Sequence, residues 1–136
     1  MPNARRNNGK APKVLIADDA ADSREMYEEY LVFAGFDVET AADGRQALAK
    51  AIEARPAVLV LDLTMPGMDG WDVATSLKGD PRTREIRIIA VTGHALTGSE
   101  AAARKAGVDA FLSKPCLPED LAAEITAQLR RTPRQT

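Results

Sequence analysis

The chain has 136 residues, a length that fits one well-packed domain and is too short for two. Hydrophobic residues make up 45% and charged residues 28%, which is typical of a soluble globular protein. The formal net charge of -2 at pH 7 gives no general attraction to nucleic acid or to membranes, and the apolar runs are far shorter than the roughly 18 residues that span a bilayer. The single cysteine, Cys116, excludes an internal disulfide, so we expect a cytoplasmic protein.

The two ends differ in composition from the middle of the chain. Residues 1–12 contain three basic residues and two prolines, with no acid and no apolar stretch, which predicts a flexible basic tail and not a signal peptide. Contact of this tail with an acidic partner or a phosphate backbone is the less expected alternative. Residues 132–136 are predicted to form a second flexible tail, which leaves 13–131 as the domain.

The first half of the domain alternates between strand and helix patterns. A short apolar run over 14–17 predicts a buried strand, and apolar residues one turn apart over 26–33 predict a helix that Gly35 ends. Polar and apolar residues alternate over 36–40, which predicts an edge strand. A second apolar stripe over 47–52 predicts the next helix.

The second half continues the alternation. Apolar runs rich in β-branched residues predict strands over 57–61, 86–91 and 108–112, and helical stripes lie over 73–77 and 121–129. A further helix is predicted over 99–106, where the helix propensity is good but only alanines are available for burial. We therefore expect that helix to dock loosely.

Five strands that alternate with five helices predict an α/β fold. Right-handed βαβ connections give a doubly wound, five-stranded parallel sheet with helices on both faces, and a sheet of this size has the order 2-1-3-4-5 of flavodoxin-like folds. Ligands of such folds bind beyond the carboxyl ends of the strands, near the switch in strand order.

Polar residues occupy these strand ends. Asp18 and Asp19 follow the first strand, Asp62 ends the third, Thr92 follows the fourth and Lys114 follows the fifth. Two carboxylates about 5 Å apart repel each other by roughly 3 kcal/mol at an effective dielectric constant near 20, so the cluster must bind protons or a cation. Oxygen ligands with room for water favour a hard ion, above all Mg²⁺.

These residues form a set of motifs: Asp18-Asp19, Asp62 followed by Met65-Pro66-Gly67-Met68-Asp69-Gly70, Thr92, and Lys114-Pro115. With them the chain resembles the response-regulator receiver family over about residues 13–131. Each motif alone is a weak signal, whereas the whole set in order and at the correct strand ends is a strong one.

The resemblance implies a role for each acid. Asp62 would accept the phosphoryl group, and Asp19 and Asp62 would bind Mg²⁺ together with the backbone carbonyl of Thr64. Asp18 would act on the metal largely through water. Because like charges meet when a carboxylate attacks a phosphoryl group, in-line transfer depends on positioning and charge neutralisation. The resemblance implies that phosphorylation depends on Mg²⁺.

The remaining motifs are implied to sense the phosphoryl group. Thr92 would donate a hydrogen bond to it, and Lys114, in a cis peptide with Pro115, would pair with its oxygens. The inward movement of Thr92 would be coupled through Phe111 to the face formed by the predicted fourth helix, fifth strand and fifth helix. Many family members have tyrosine at this position, so coupling through phenylalanine must depend on packing alone.

The function expected is that of a single-domain response regulator in a two-component system or phosphorelay. Its phosphodonor would be a sensor histidine kinase or a histidine phosphotransfer protein, and its output would be contact with another protein whose identity no residue indicates. Met1 favours an independent protein. Such a switch is not an enzyme, since it catalyses only its own phosphorylation and dephosphorylation. Thr64 and His94 occupy positions that influence the lifetime of the phosphorylated state.

Three other functions are compatible with parts of the pattern. A nucleotide or flavin binder of the same fold requires a phosphate-binding loop after the first strand, where the two acids stand instead. A haloacid-dehalogenase-like phosphatase requires a second acid two residues after Asp62, where Thr64 stands. A module that binds partners without phosphorylation would have no use for the acidic cluster. Asp62 considered alone could also be a helix cap.

Overall fold

The structure is a computed structural model that describes residues 11–63, 65, 70–93, 101 and 104–131. Its strands are β1 (Lys13–Ala17), β2 (Asp37–Ala41), β3 (Val58–Asp62), β4 (Arg87–Thr92) and β5 (Ala110–Ser113). The helices in the described part of the chain are α1 (Ala21–Phe33), α2 (Gly44–Ala54), α3 (Gly70–Lys78) and α4 (Pro118–Arg130). None of these helices has the length and apolar character that a bilayer crossing requires.

All five strands are parallel and have the order β2-β1-β3-β4-β5, which confirms the predicted doubly wound fold. The helix predicted over 99–106 lies mainly outside the described residues, although Ala101, Arg104 and Lys105 are helical. Residues 1–10 and 132–136 also lie outside them, so the flexible tails and the domain bounds stay predictions.

Four strands, β2 to β5, begin and end one or two residues later than the runs that predicted them, whereas β1 begins one residue earlier, at Lys13. β3 ends at Asp62 and β4 at Thr92, because the parallel ladder continues through the first polar residue of each segment. β5 begins at Ala110, after Asp109 has donated its backbone N–H to Ile88 and turned its side chain to the same residue. β2 is also less regular than predicted, with an exposed first residue followed by three half-buried ones.

The sheet has an apolar layer on each face. Every residue of β3 is buried, as expected for a central strand covered on both sides. One layer packs against α2 and α3 and includes Ala47, Ala51, Val73, Ala74 and Leu77. The other packs against α1 and α4 and includes Tyr27, Leu31, Leu121 and Ile125.

Local signals explain where α2 begins and ends. The side chain of Asp43 accepts a hydrogen bond of 2.8 Å from the backbone N–H of Gln46, whose own side chain accepts from Ala42. This reciprocal arrangement satisfies donors at the helix N-terminus that have no partner within the helix. Arg55, in the left-handed region with a φ of 46°, ends the helix.

An ionic cluster joins α3 to the beginnings of β4 and β5. Lys78 Nζ lies 3.3 Å from Oδ2 of Asp109, whose side chain is inaccessible to solvent, and 2.6 Å from the carbonyl oxygen of Ile86. The same Asp109 oxygen accepts the backbone N–H of Ile88 at 2.8 Å, and NH1 of Arg87 lies 3.9 Å from Oδ1. This cluster fixes the edge of the sheet opposite the carboxyl ends of the strands.

Candidate functional site

The strand register brings the predicted site residues to one edge of the sheet. Ala17, the last residue of β1, is paired with Leu61 of β3, so that Asp18 and Asp62 leave neighbouring strands side by side. Thr92 ends β4 and is paired with Ser113, the residue before Lys114. The parallel arrangement therefore places the carboxyl ends of β1, β3, β4 and β5 around one location.

Three carboxylates meet at this edge. Asp18, Asp19 and Asp62 each offer an oxygen, and these oxygens all lie within 4.8 Å of one another. Asp18 and Asp62 are buried, whereas Asp19 is exposed. Hard oxygen donors on a partly open site match the preference of Mg²⁺ for carboxylates combined with water. The three residues therefore form an acidic cluster that fits a divalent metal ion.

The side chain of Lys114 reaches the same cluster. Its Nζ lies 3.2 Å from Oδ2 of Asp18 and 3.4 Å from Oδ2 of Asp62. Burial by itself disfavours the charged amine, but the carboxylates of Asp62 and Asp18 outweigh that effect and raise the pKa of Lys114 above its usual value. The lysine is therefore an ammonium ion that offsets part of the negative charge of the two acids. The peptide bond between Lys114 and Pro115 is cis, as predicted.

Thr92 and Phe111 lie on β4 and β5, the two strands that follow β3 in the sheet. Thr92 is 2% exposed, and its backbone carbonyl accepts a hydrogen bond of 2.8 Å from the N–H of Lys114. Phe111 is paired with Ala90 in the β4–β5 ladder and packs against the apolar layer on the α2 and α3 side. The two switch residues predicted from the sequence are thus on adjacent strands, one at the site edge and one against the core.

Several predicted site residues lie outside the described part of the chain. They are Thr64, whose carbonyl was predicted to bind the metal, His94, and residues 66–69 of the loop after β3.

The close packing of α3 on β3 requires a glycine at position 70, directly after that loop. A Cβ at this position would lie 2.7 Å from the Cα of Leu63. Only glycine therefore allows the beginning of α3 to approach the end of β3 this closely.

Arg24 holds the backbone at Asp18, a role that the sequence did not indicate. Its guanidinium donates a hydrogen bond of 2.8 Å to the backbone carbonyl of Asp18. The side-chain carboxylate of Asp18 accepts a hydrogen bond of 2.9 Å from the backbone N–H of Ala20. Ala20 precedes α1 and its side chain makes no capping bond. The contacts of Asp18 therefore order the turn that also carries Asp19.

Tyr27 forms a second contact that the sequence did not indicate. Its hydroxyl donates a hydrogen bond of 2.7 Å to the carbonyl of Cys116, a residue 89 positions away in the chain. Burial, with a smaller effect of the neighbouring Cys116 thiol, raises the pKa of Tyr27 above its usual value. The hydroxyl is therefore protonated at physiological pH. No local pattern could have revealed this pair, because only the folded sheet brings α1 against the loop after β5.

Comparison with known proteins agrees with this geometry. Residues 14–126 match the response regulator receiver domain family. The transcriptional regulatory protein PrrA of Mycobacterium leprae is 36% identical over 121 residues, which cover 89% of this chain and 51% of that protein. The chain thus spans about half the length of the curated relatives that it matches.

Two solved structures show the same fold. The chemotaxis response regulator CheY4 of Vibrio cholerae has a TM-score of 0.82 and 34% identity, covering 88% of this chain and 99% of that chain. The receiver domain of the sensor histidine kinase PA1611 of Pseudomonas aeruginosa, which has a magnesium ion coordinated in its active site cleft, has a TM-score of 0.82 and 26% identity, covering 89% and 99%. The present chain therefore belongs to the response regulator receiver domain family, whose members are the phosphoacceptor switches of two-component systems.

Proposed function

We propose that residues 13–131 form a receiver domain that accepts a phosphoryl group on Asp62 in a reaction that depends on Mg²⁺. The donor is the phosphohistidine of a sensor histidine kinase or of a histidine phosphotransfer protein. The observation that carries this proposal is the meeting of Asp62 with two further carboxylates and the ammonium group of Lys114 at one edge of the sheet.

The metal would be held by the carboxylates of Asp19 and Asp62, with Asp18 acting mainly through water and the Thr64 carbonyl as a further ligand. When bound, Mg²⁺ would neutralise the charge of the acids and of the incoming phosphoryl oxygens. The fit is supported by the oxygen-only donor set and by the exposure of Asp19, which leaves one side of the cluster open to water and to a donor.

The proposed transfer uses three side chains of the chain itself. A carboxylate oxygen of Asp62 forms the new bond to phosphorus while the phosphorus–nitrogen bond of the phosphohistidine breaks, and the imidazole leaves with the electron pair. Lys114, already 3.4 Å from Asp62, pairs with the transferred oxygens. Thr92 donates its hydroxyl hydrogen to them. These groups supply positioning and charge neutralisation, which phosphoryl transfer chiefly requires.

The output is proposed to arise from a shift of Thr92 toward the phosphoryl group. Thr92 and Phe111 lie on adjacent strands, so a shift at the end of β4 has a direct packing route to β5. The responding surface would include the segment 99–106, β5 and α4, and its partner would be another protein. Phe111 has no hydroxyl, so the route depends on how its ring packs against the core.

Phosphorylation by acetyl phosphate tests the proposal without knowledge of the cognate kinase. The protein is incubated with acetyl phosphate and Mg²⁺, and the acyl phosphate is detected by intact-protein mass spectrometry. We expect a single phosphoryl group on the wild-type chain and none on Asp62→Asn. Asp72→Asn is the matched control, because Asp72 lies in the first turn of α3 and outside the acidic cluster. It should be labelled like the wild type.

Two results would overturn the proposed function. One is labelling of Asp62→Asn at the wild-type rate, which would place the phosphoryl group elsewhere. The other is undiminished labelling of the wild type in excess EDTA, which would remove the metal from the reaction. If acetyl phosphate labels Asp62, a screen of purified histidine kinases for rapid transfer to this chain identifies the donor.

A further inference from the structure

The loop between β5 and α4 carries Lys114, and within the described residues its backbone has two hydrogen-bonded anchors besides the helix that it enters. At its beginning, the backbone N–H of Lys114 donates to the carbonyl of Thr92 at 2.8 Å. Two residues later, the carbonyl of Cys116 accepts the hydroxyl of Tyr27 at 2.7 Å. Pro115, between them, has no N–H to contribute. Within the described residues, the bond from Tyr27 is the one hydrogen bond that ties this loop to α1.

Helix α1, to which Tyr27 ties the loop, also contacts the acidic cluster. Tyr27 lies on α1, and Arg24 of the same helix donates to the carbonyl of Asp18 at 2.8 Å. The side chain of Asp18 in turn lies 3.2 Å from Lys114 Nζ. A closed path therefore runs from Lys114 through Cys116, Tyr27 and α1 to Asp18 and back to Lys114. The hydrogen bonds of this path, 2.7–3.2 Å long, tie the backbone that carries Lys114 to the backbone that carries Asp18.

Tyr27 itself is held firmly. It is 4% exposed and belongs to the apolar layer that α1 and α4 form against the sheet. Its ring is therefore fixed by packing, and its hydroxyl is directed at one backbone carbonyl. A rigid residue that supports a reacting side chain from behind has the arrangement expected of a positioning group.

We propose that Tyr27 is a positioning residue for Lys114, and that its hydroxyl bond to Cys116 keeps the lysine ammonium group where it can pair with a phosphoryl group on Asp62. This inference rests on the proposed function. The alternative is that the bond only stabilises the packing of α1 against the end of the sheet. The two differ in one respect: a positioning role acts through Lys114, and a packing role does not.

The first test compares the rates at which acetyl phosphate labels the wild type, Tyr27→Phe and Tyr30→Phe in saturating Mg²⁺. Loss of the Tyr27 hydroxyl should slow labelling by roughly tenfold or more, since small displacements of a catalytic group are costly. Tyr30 lies on the same helix and packs against the same apolar layer, and its hydroxyl makes no hydrogen bond to the described residues. Tyr30→Phe should label within about twofold of the wild type, because an independent site leaves the rate unchanged.

A double-mutant cycle separates positioning from packing. In a Lys114→Ala background, adding Tyr27→Phe should change the remaining rate by less than about twofold, because the lysine through which the tyrosine acts is absent. If Tyr27→Phe slows the Lys114→Ala variant by the same factor as it slows the wild-type protein, the inference is overturned. Placing 4-aminophenylalanine at position 27 restores a donor and should recover at least about half of the wild-type rate if the hydrogen bond is what matters.

Rates are compared at a temperature where circular dichroism shows every variant to be folded. Should Tyr27→Phe fail to fold, 4-fluorophenylalanine, which fills the space of the hydroxyl without donating, takes its place in the same cycle. Wild-type labelling together with unaltered labelling of the folded Tyr27 variant would overturn this inference and leave the proposed function intact. Absence of labelling in the wild type would instead overturn the proposed function.

Discussion

The ammonium nitrogen of Lys114 lies 3.4 Å from Oδ2 of Asp62, with the aspartate side chain 5% exposed and the lysine side chain 26% exposed. The lysine thus contacts a carboxylate that the proposed function also assigns to a metal ion. Two unit positive charges about 5 Å apart oppose each other by roughly 3 kcal/mol at an effective dielectric constant near 20, and a divalent ion doubles that repulsion. Lys114 should therefore weaken metal binding even while it favours the phosphoryl group.

Replacing this lysine should separate the two effects. We expect Lys114→Met to bind Mg²⁺ roughly tenfold more tightly than the wild type, because the competing charge is gone. Phosphorylation by acetyl phosphate should fall by about a hundredfold or more, because the charge partner of the phosphoryl group is lost. Isothermal titration calorimetry and the labelling rate measure the two quantities.

The matched control for Lys114→Met is Lys13→Met. Lys13 begins β1, at the opposite edge of the sheet from the acids, and pairs there with Asp37 and Glu39. Its removal should alter Mg²⁺ affinity by less than about twofold, since salt screens charges more than about 10 Å apart. Unchanged or weaker Mg²⁺ binding in Lys114→Met would show that the lysine does not compete with the metal.

Asp19 is the exposed member of the acidic cluster and should be the easiest to test as a ligand. Asp19→Asn keeps the shape of the side chain and removes its charge, so the Mg²⁺ affinity should fall by roughly tenfold or more, as affinity follows ligand charge. Asp22→Asn is the control, because Asp22 is exposed in the first turn of α1 and outside the cluster. Equal affinities of the two variants, measured by calorimetry, would exclude Asp19 as a ligand.

The fold was predictable from the sequence because its signals are local. Apolar runs of strand length, such as the one over 57–61, and helical stripes between them are read from neighbouring residues alone, and the right-handed βαβ rule then leaves few strand orders. Strand ends were less predictable. Whether the ladder continues through a polar residue such as Asp62 depends on the adjacent strand, here Val91 of β4.

The site was predictable only in part, because some of its contacts depend on tertiary packing and not on local sequence signals. Asp18, Asp62 and Lys114 were found because each interrupts the pattern at a strand end, and parallel strands end at a common edge. The bond between Tyr27 and Cys116 joins two residues with no distinctive pattern of their own. Such contacts depend on the angle between a helix and the sheet, which packing determines and composition does not reveal.

Removing one partner of the buried ion pair between Lys78 and Asp109 should destabilise the fold strongly, because the other charge would be left buried. Asp109→Ala leaves the lysine and the nearby Arg87 without the carboxylate at the beginnings of β4 and β5. Breaking one side of a buried pair costs about 3–5 kcal/mol of unfolding free energy. Asp37→Ala, which removes an exposed partner of Lys13, should cost less than about 1 kcal/mol. Chemical denaturation compares the two, and equal losses would contradict the prediction.

Alanine substitutions at Gly35 and Gly107 should distinguish the stability cost of backbone strain from that of steric conflict. Both have positive φ, at 106° and 99°, but a Cβ at Gly35 meets nothing within 4 Å, whereas one at Gly107 would lie 2.6 Å from the Cγ of Lys78. We expect Gly35→Ala to cost about 1–2 kcal/mol from backbone strain alone. Gly107→Ala should cost at least about 1 kcal/mol more, because the Lys78 side chain must also move. A smaller loss for Gly107→Ala in urea denaturation would show that Lys78 moves aside without cost.

The ion pair between Asp80 and Arg82 can be tested through the pKa of the aspartate. Hydrogen bonds from the side chain of Arg82, and then from its backbone N–H, lower the pKa of Asp80 from 3.8 to about 2. Since the folded-state pKa lies below the unfolded one, the resulting stabilisation is fully present above about pH 4 and is lost as the pH falls through about 2. Carboxyl carbon NMR of the wild type should therefore show a titration midpoint near 2 for this residue. Arg82→Met should move the midpoint upward but not fully to 3.8, because the backbone N–H still donates to Oδ1. Arg84→Met is the control, because within the described residues the side chain of Arg84 makes no hydrogen bond to Asp80. It should leave the titration midpoint of Asp80 unchanged. An equal rise of the midpoint in both variants would show that the low pKa comes from general positive charge and not from the hydrogen bonds of Arg82.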